Sequence, residues 1–443
     1  MNIGGVHSLI LQGFEEKVYE ELRNLGDEVL LHTVTDLLYD REHVSSSYIS
    51  SNSVIEDRLG SIVSMLTVYG IAVEGTRHTL YIESLDDTLG SKKPFPLIIT
   101  PKRMARTRSE IFQRIYELLT AIHTLGSEER LFFNWNYSGL IRETDMLEES
   151  IASRLVGRRN LDVEEELKNL IREYLDELAG NIEGNIPHVN IRESLKYLVN
   201  LLPRTYNDLF ERIASMKIFA EERFDDIIDY TVLVVEGSVF KMLLSILLRK
   251  AEKEGIDVFW VTSNPDDNYI SRANPILSWI NDTVVLTYIW KNLDQAVLRV
   301  EDVVGENFNS KERQSEIHDL PIPYKRMYTG RHAARESVSV GESIEETSGG
   351  LWYAKFSRHG PIIQLLYPRE YKNDVVEEGL RELFTVSDKR AGYPRPLALV
   401  RRACKISDQL ARGLGDSLLR RVDNPLLKIM LNRRTTPSED TLE

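Results

Sequence analysis

From Phe14 onward, apolar residues recur at helical intervals (Val18, Leu22, Leu25, Val29) with acidic residues on the opposite face, so residues 14–60 read as a helical N-terminal region. The serine-rich stretch Ser45–Ser53 reads as a loop within it. The pattern then changes to strands: Val68–Val73, His78–Ile82 and Pro96–Thr100 are short β-prone runs separated by turns, the signature of an antiparallel meander. Residues 104–124 return to a helical period through Ile111, Ile115, Leu118, Leu119 and Ile122. Residues 130–138 read as a strand, and 143–223 as almost continuous helix punctuated by Pro187 and Pro203. Tyr230–Val235 is an unbroken apolar run, as in a strand buried on both faces. A helix over Val239–Glu254, stopped by Gly255, and a strand over Ile256–Thr262 complete an apparent βαβ unit. Thr283–Ile289 is another apolar run, and 300–350 is polar. Trp352–Phe356 and Ile362–Tyr367 form a hairpin pattern around Arg358–Pro361, Val375–Leu383 reads as helix, and Tyr393–Arg421 as a further helix before a polar tail.

The 443 residues provide material for two to three domains, and 42% hydrophobic with 28% charged residues is ordinary for a globular chain. No apolar run of transmembrane length and no secretory leader is read, and a single cysteine, Cys404, leaves no internal disulfide or Cys-rich zinc site; a reducing, cytoplasmic setting is the expectation. Net charge is −14, but Asp388–Arg434 carries twelve Lys/Arg against four Asp/Glu. A basic region on an acidic body suits either a polyanion or acidic surface elsewhere in the same chain.

Phosphate-loop, nucleophile-elbow and His-Glu-x-x-His motifs are absent, and the nine histidines are scattered. What stands out is a repeated phrase. Ile71-Ala-Val-Glu-Gly-Thr76 and Val234-Val-Glu-Gly-Ser238 each place a carboxylate after an apolar run, followed by glycine and a hydroxyl residue. Two carboxylates at the ends of neighbouring strands converge on divalent cations in metal-assisted phosphodiester hydrolysis; solvated strand-end glutamates are the plainer alternative. Asp225, Asp226 and Asp229 read as a solvated helix end, and Trp135, Tyr137 and Trp352 as core. Tyr324–His332 interleaves aromatic and basic residues, as single-strand binders do and as ordinary basic loops also do.

Taken in order, Ile71–Arg77, Thr231–Ser238, Gly255–Asp266, Asp282–Ile289, Trp352–Phe356 with Pro361–Pro368, and Tyr393–Ser407 resemble the archaeal NurA nuclease family over about half the chain. The last of these reads Tyr393-Pro394-Arg-Pro-Leu397-Ala-Leu-Val400-Arg401 against a family pattern Tyr-Pro-x-x-Leu-x-x-Ala-His. The resemblance implies an α/β fold with a ribonuclease H-like mixed sheet, flanking helices and a helical insertion. Its parts are an N-terminal helical region (1–60), a core (61–103 and 225–415), the insertion (104–224) and a basic tail (416–443). It further implies a Mn²⁺- or Mg²⁺-dependent nuclease, a 5′-to-3′ exonuclease and single-strand endonuclease. Such an enzyme acts on single-stranded DNA or DNA ends in break resection and repair, as a homodimer working with a HerA-type helicase hexamer and no membrane.

By the same resemblance, Glu74 and Glu236 replace the family's two aspartates and Arg401 its histidine. Glu221 or Glu222 supplies the helical glutamate, with Glu211 a weaker choice and Glu110 or Glu117 serving if the insertion follows that helix. Tyr393 is retained, and Glu74, Glu222 and Glu236 are the expected metal ligands. Lys325, Arg326, Arg331, Arg402 and Lys405 are the expected nucleic-acid contacts. Arg401 stays protonated and has no general-base chemistry; it suits a phosphate clamp or an ion pair in a metal's place. Two functions are therefore expected: an active nuclease, or a catalytically impaired paralogue serving as a DNA- or helicase-binding scaffold.

Overall fold

The computed structural model describes residues 14–76, 79–84, 94–126, 128–156, 161–186, 190–216, 224–271, 274, 277–304, 349–368 and 370–432. Helix α1 (Phe14–His32) leads into β1 (Val44–Asp57), β2 (Ile62–Thr76), β3 (Thr79–Ser84) and β4 (Phe95–Ile99). Helix α2 (Ala105–Thr124) and β5 (Arg130–Phe133) follow, then α3 (Tyr137–Val156), α4 (Leu161–Asn185), α5 (Ile191–Ser215) and α6 (Phe224–Glu254). After β6 (Asp257–Ser263) come α7 (Asp282–Ile289), β7 (Ala296–Arg299), α8 (Val300–Val304), β8 (Gly349–Lys355) and β9 (Ile363–Pro368). Helices α9 (Asn373–Thr385), α10 (Arg395–Ala403), α11 (Asp408–Leu419) and α12 (Pro425–Met430) close the chain.

The nine strands form one mixed sheet in the order β3-β2-β1-β5-β6-β9-β8-β7, with β4 on the same edge of β2 as β3. The first three of this path are antiparallel, whereas β1, β5 and β6 run parallel. That is the ribonuclease H-like arrangement the sequence led us to expect. One face of the sheet carries α2 and the helical layer; the other carries α9 and α10. The alternation is clear on the central strands. Ile49, Phe133 and Trp260 point into the first core, and Tyr48, Phe132 and Phe259 into the second. Tyr48, Phe132 and Phe259 stack across three strands at centroid spacings of 5.1 and 5.4 Å.

Two sequence expectations are corrected here. Ser45–Ser53 is not a loop: it lies within β1, the strand that joins the antiparallel meander to the parallel group, and most of its residues are buried. Its polarity is absorbed by side-chain pairing, for example Ser46 Oγ with the Tyr48 hydroxyl at 3.1 Å. Tyr230–Val235 is not a strand but the first part of the 31-residue α6, so no βαβ unit begins there. The strand that runs parallel to β6 is β5, with α3–α6 between them. Helix α6 was misread because α2, α3, α4 and α5 all pack on it. A helix buried on every side has no polar stripe and therefore no 3.6-residue period. It is also long and apolar enough to cross a membrane, but 94% of its apolar window is buried inside the fold.

The helical reading of 14–60 holds only for α1: Val34–His43 is irregular and Val44–Asp57 is β1, a strand of the central sheet. The other helix and hairpin patterns hold, with a break at Cys404–Ser407. Helix α2, grouped with the insertion in the sequence reading, packs directly on β1 and β2.

Candidate functional site

Ligands of open α/β sheets bind beyond the carboxyl ends of the parallel strands. Here β5 ends at Phe133 and β6 at Ser263, while the longer β1 continues past them through Ser50, Ser51 and Asn52. Polar groups from five elements collect at this place.

On the α2 side, Ser51 Oγ donates to Glu117 Oε2 at 2.7 Å and accepts from Gln113 Nε2 and Arg114 Nη1, both at 3.0 Å. Arg114 Nη1 also donates to Glu117 Oε2 at 2.9 Å. The Arg114 guanidinium lies 4.4 Å from the Trp135 ring centroid, a cation–π contact. Glu117 is fully buried, and burial raises its carboxyl above the usual range while Arg114 opposes the rise. Its Oε1 has no hydrogen-bond partner. Cys404 Sγ closes this side by donating to the Ser50 carbonyl at 2.8 Å, its thiol pushed up by burial.

On the other side, the Tyr393 hydroxyl donates to Asn134 Oδ1 at 3.2 Å. Burial raises the Tyr393 phenol, and hydrogen bonding with Arg401 and Ser263 works against that rise. The tripeptide Asn134-Trp135-Asn136 joins the two sides, because Asn134 meets Tyr393 and Trp135 meets Arg114. Asn136 Nδ2 reaches Gln364 Oε1 at 3.0 Å and Asp267 Oδ2 at 3.3 Å. Gln364 Nε2 in turn donates to Asp267 at 2.9 Å, fixing the loop after β6.

Asp282 anchors the far end of that loop. It accepts from the Ile270 and Ser271 backbone N–H groups and from the Tyr353 hydroxyl at 2.9–3.1 Å. Burial nevertheless pushes its carboxyl up to about 6. An acid raised in the folded state favours folding most below its ordinary range, and that benefit is lost as pH rises through about 6. Carbon-detected NMR should show Asp282 titrating there, and Asp282→Asn should remove a stability slope worth about 3 kcal/mol between the two limits.

The site residues expected from sequence are dispersed. Glu74 sits at the exposed end of β2, 3.9 Å from His43 Nε2. Glu236 lies in the middle of α6, in the helical layer, rather than at a strand end. It accepts from Arg108 Nε and Nη2 at 2.7–3.1 Å and from the Tyr206 hydroxyl at 2.8 Å. No contact joins Glu74 to Glu236 among the described residues, and the two similar phrases are structurally unrelated. Arg401 pairs with Tyr393 rather than with either glutamate. Glu211 lies exposed on α5 and Glu110 on α2, 3.9 Å from Arg114. Arg402 and Lys405 are exposed at the end of α10. Glu221, Glu222, Lys325, Arg326 and Arg331 lie outside the described residues.

Glu117, an alternative in the sequence reading, is the glutamate at this place; Ser51, Arg114 and Asn134 were not anticipated. Of the strand expected at 130–138 only Arg130–Phe133 is β5, with Asn134–Asn136 just past its end and Tyr137 opening α3, and nothing marked the serine run as its neighbour.

The fit to a divalent metal can be judged from these donors. Two-ion hydrolytic sites bridge both ions with several carboxylates, and Mg²⁺ needs at least one or two. Ser50–Asn52 and Asn134–Asn136 supply hydroxyls and amides, and Glu117 is already paired with a guanidinium. No group of three or more His, Cys, Asp or Glu among the described residues is placed to hold a metal ion. These residues do not fit a Mn²⁺ or Mg²⁺ centre.

No protein-family model matches the chain, and no curated protein matches its sequence. The fold is similar to a crystal structure of NurA bound to dAMP and manganese, with TM-score 0.57 and 14% identity over 95% of this chain and 99% of that one. It is also similar to another NurA structure, with TM-score 0.54 and 14% identity over 94% and 99% of the two chains. A third, NurA with manganese, gives TM-score 0.50 and 12% identity over 93% and 97%. At these identities the likeness establishes the fold.

Proposed function

We propose that this chain is a NurA-type subunit in which the metal-dependent nuclease centre has given way to an internal ion pair. In this reading it serves DNA-end processing as a non-cleaving, DNA- or helicase-binding scaffold. One observation carries this. Ser50-Ser51-Asn52 of β1 and Asn134-Trp135-Asn136 just past the end of β5 contain no carboxylate, and the glutamate beside them, Glu117, is held by Arg114 at 2.9 Å. A guanidinium bound to carboxylate and hydroxyl supplies positive charge where hydrolysis would need a cation with open coordination positions. Such a cation binds and orients phosphate but does not activate water. The proposed partners are single-stranded DNA or DNA ends, a second copy of the chain, and a HerA-type helicase hexamer, in the cytoplasm. Tyr393, Arg401, Arg402 and Lys405 are the proposed DNA contacts.

The test is cleavage of end-labelled single-stranded DNA by the purified chain with Mn²⁺ or Mg²⁺. The expected result is intact DNA, with helicase capture retained. Cleavage that disappears in Glu117→Gln would overturn the proposal. It would favour the second reading, an active manganese-dependent 5′-to-3′ nuclease, which has the unpartnered Glu117 Oε1 in its favour.

A further inference from the structure

Two turns beside the Tyr393 corner meet through glycines. A Cβ on Gly360 would lie 3.0 Å from the Gly392 Cα, and one on Gly392, whose φ is +59°, would lie 2.5 Å from Ser357 Oγ. Glycine at both positions therefore permits an approach that other residues would obstruct. Ser357 Oγ fastens the turns by donating to the Arg390 carbonyl at 3.2 Å. Asp388 Oδ1 braces the second turn by accepting from the Arg390 and Ala391 backbone N–H groups, both at 2.9 Å. Its Oδ2 accepts from Arg395 at 3.2 Å. The carboxylate of this turn is thus committed to its own backbone and to Arg395. Four side chains, Arg358, His359, Lys389 and Arg390, are left exposed on the joined turns.

We propose that this fastened pair of turns is a docking ridge for the phosphate backbone of a single nucleic-acid strand. From the ridge the strand would lead toward Tyr393, three residues beyond Arg390. The choice of occupant follows from charge. The chain carries −14 overall, so a broad acidic protein surface is repelled by most of it, whereas a strand needs only a narrow basic track. The ridge supplies affinity through phosphates and carries no base readout. This rests on the reading that the chain handles DNA, but it needs neither a metal nor cleavage.

The test is fluorescence anisotropy of labelled oligo-dT in EDTA over a range of salt, comparing wild type with the triple variant Arg358→Ala, Lys389→Ala, Arg390→Ala. All three side chains are exposed, and the bonds that fasten the turns use backbone atoms of Arg390, so the urea midpoint should stay unchanged. Affinity at low salt should fall at least about tenfold, and the slope of log affinity against log salt should shrink by about 2, near 0.7 for each lost contact. Arg249→Ala, at the exposed end of α6, should change neither. Unchanged affinity and slope in the triple variant would overturn the ridge while leaving the metal-free scaffold intact, since EDTA removes metal chemistry from the readout. Failure of the wild type to bind oligo-dT would also overturn it.

Discussion

Glu236→Ala is expected to lower folding stability by about 3–5 kcal/mol, seen as a large fall in the urea midpoint with little change in slope. The pair it breaks is sealed: side-chain exposure is 3% for Arg108 and 0% for Glu236. Without the carboxylate, the Arg108 guanidinium and the Tyr206 hydroxyl lose their acceptor inside the helical layer, and an uncompensated buried charge costs more than the pair contributed. Arg108→Met should cost a similar amount by stranding the carboxylate. The double variant Arg108→Met, Glu236→Leu should recover much of the loss, because two apolar side chains of similar volume leave no charge to solvate. A Glu236 that worked only as a metal ligand would behave otherwise, since its removal would leave a fully stable protein. Retention of the wild-type midpoint in Glu236→Ala would remove the structural role given to this pair.

Glu236 also shows where sequence reasoning reaches its limit. The meander strands, α2, β6, the β8–β9 hairpin and α9 are amphipathic or bounded by strong turns, so their periods survive in the sequence. Helix α6 is enclosed by four other helices, and a β-branched apolar run inside it looks like a buried strand. The serine run failed in the opposite way. The buried part of strand β1 is polar, and partners such as Glu117, which accepts from Ser51, are supplied only by the fold. The two errors together moved the expected site: a Glu-Gly phrase drew attention to α6, and the true neighbour of β5 was taken for a loop. Tyr393 and Arg401 were singled out only by the resemblance of one short motif; the structure brings their side chains into contact.

Arg114→Met tests the ion pair at the site itself, and its effect depends on pH. Burial already raises the Glu117 carboxyl, and Arg114 is the largest influence holding it down. Removing the guanidinium raises it further. With the folded value above the unfolded one, the carboxyl favours folding at low pH, where it is neutral in both states. The penalty then grows as pH rises through the folded value. The difference between wild type and Arg114→Met should therefore be small near pH 4, reflecting mainly lost packing on Trp135. It should widen to about 3 kcal/mol by pH 8, where wild type keeps its pair and the variant must either bury a lone carboxylate or hold a proton against the solvent. Urea titrations at the two pH values measure this directly, and Glu117→Gln in the Arg114→Met background should abolish the pH dependence of the difference. A difference that is flat with pH would mean that Arg114 acts through its contact with Trp135 alone. The guanidinium would then no longer be the charge that holds this site in place of a metal ion.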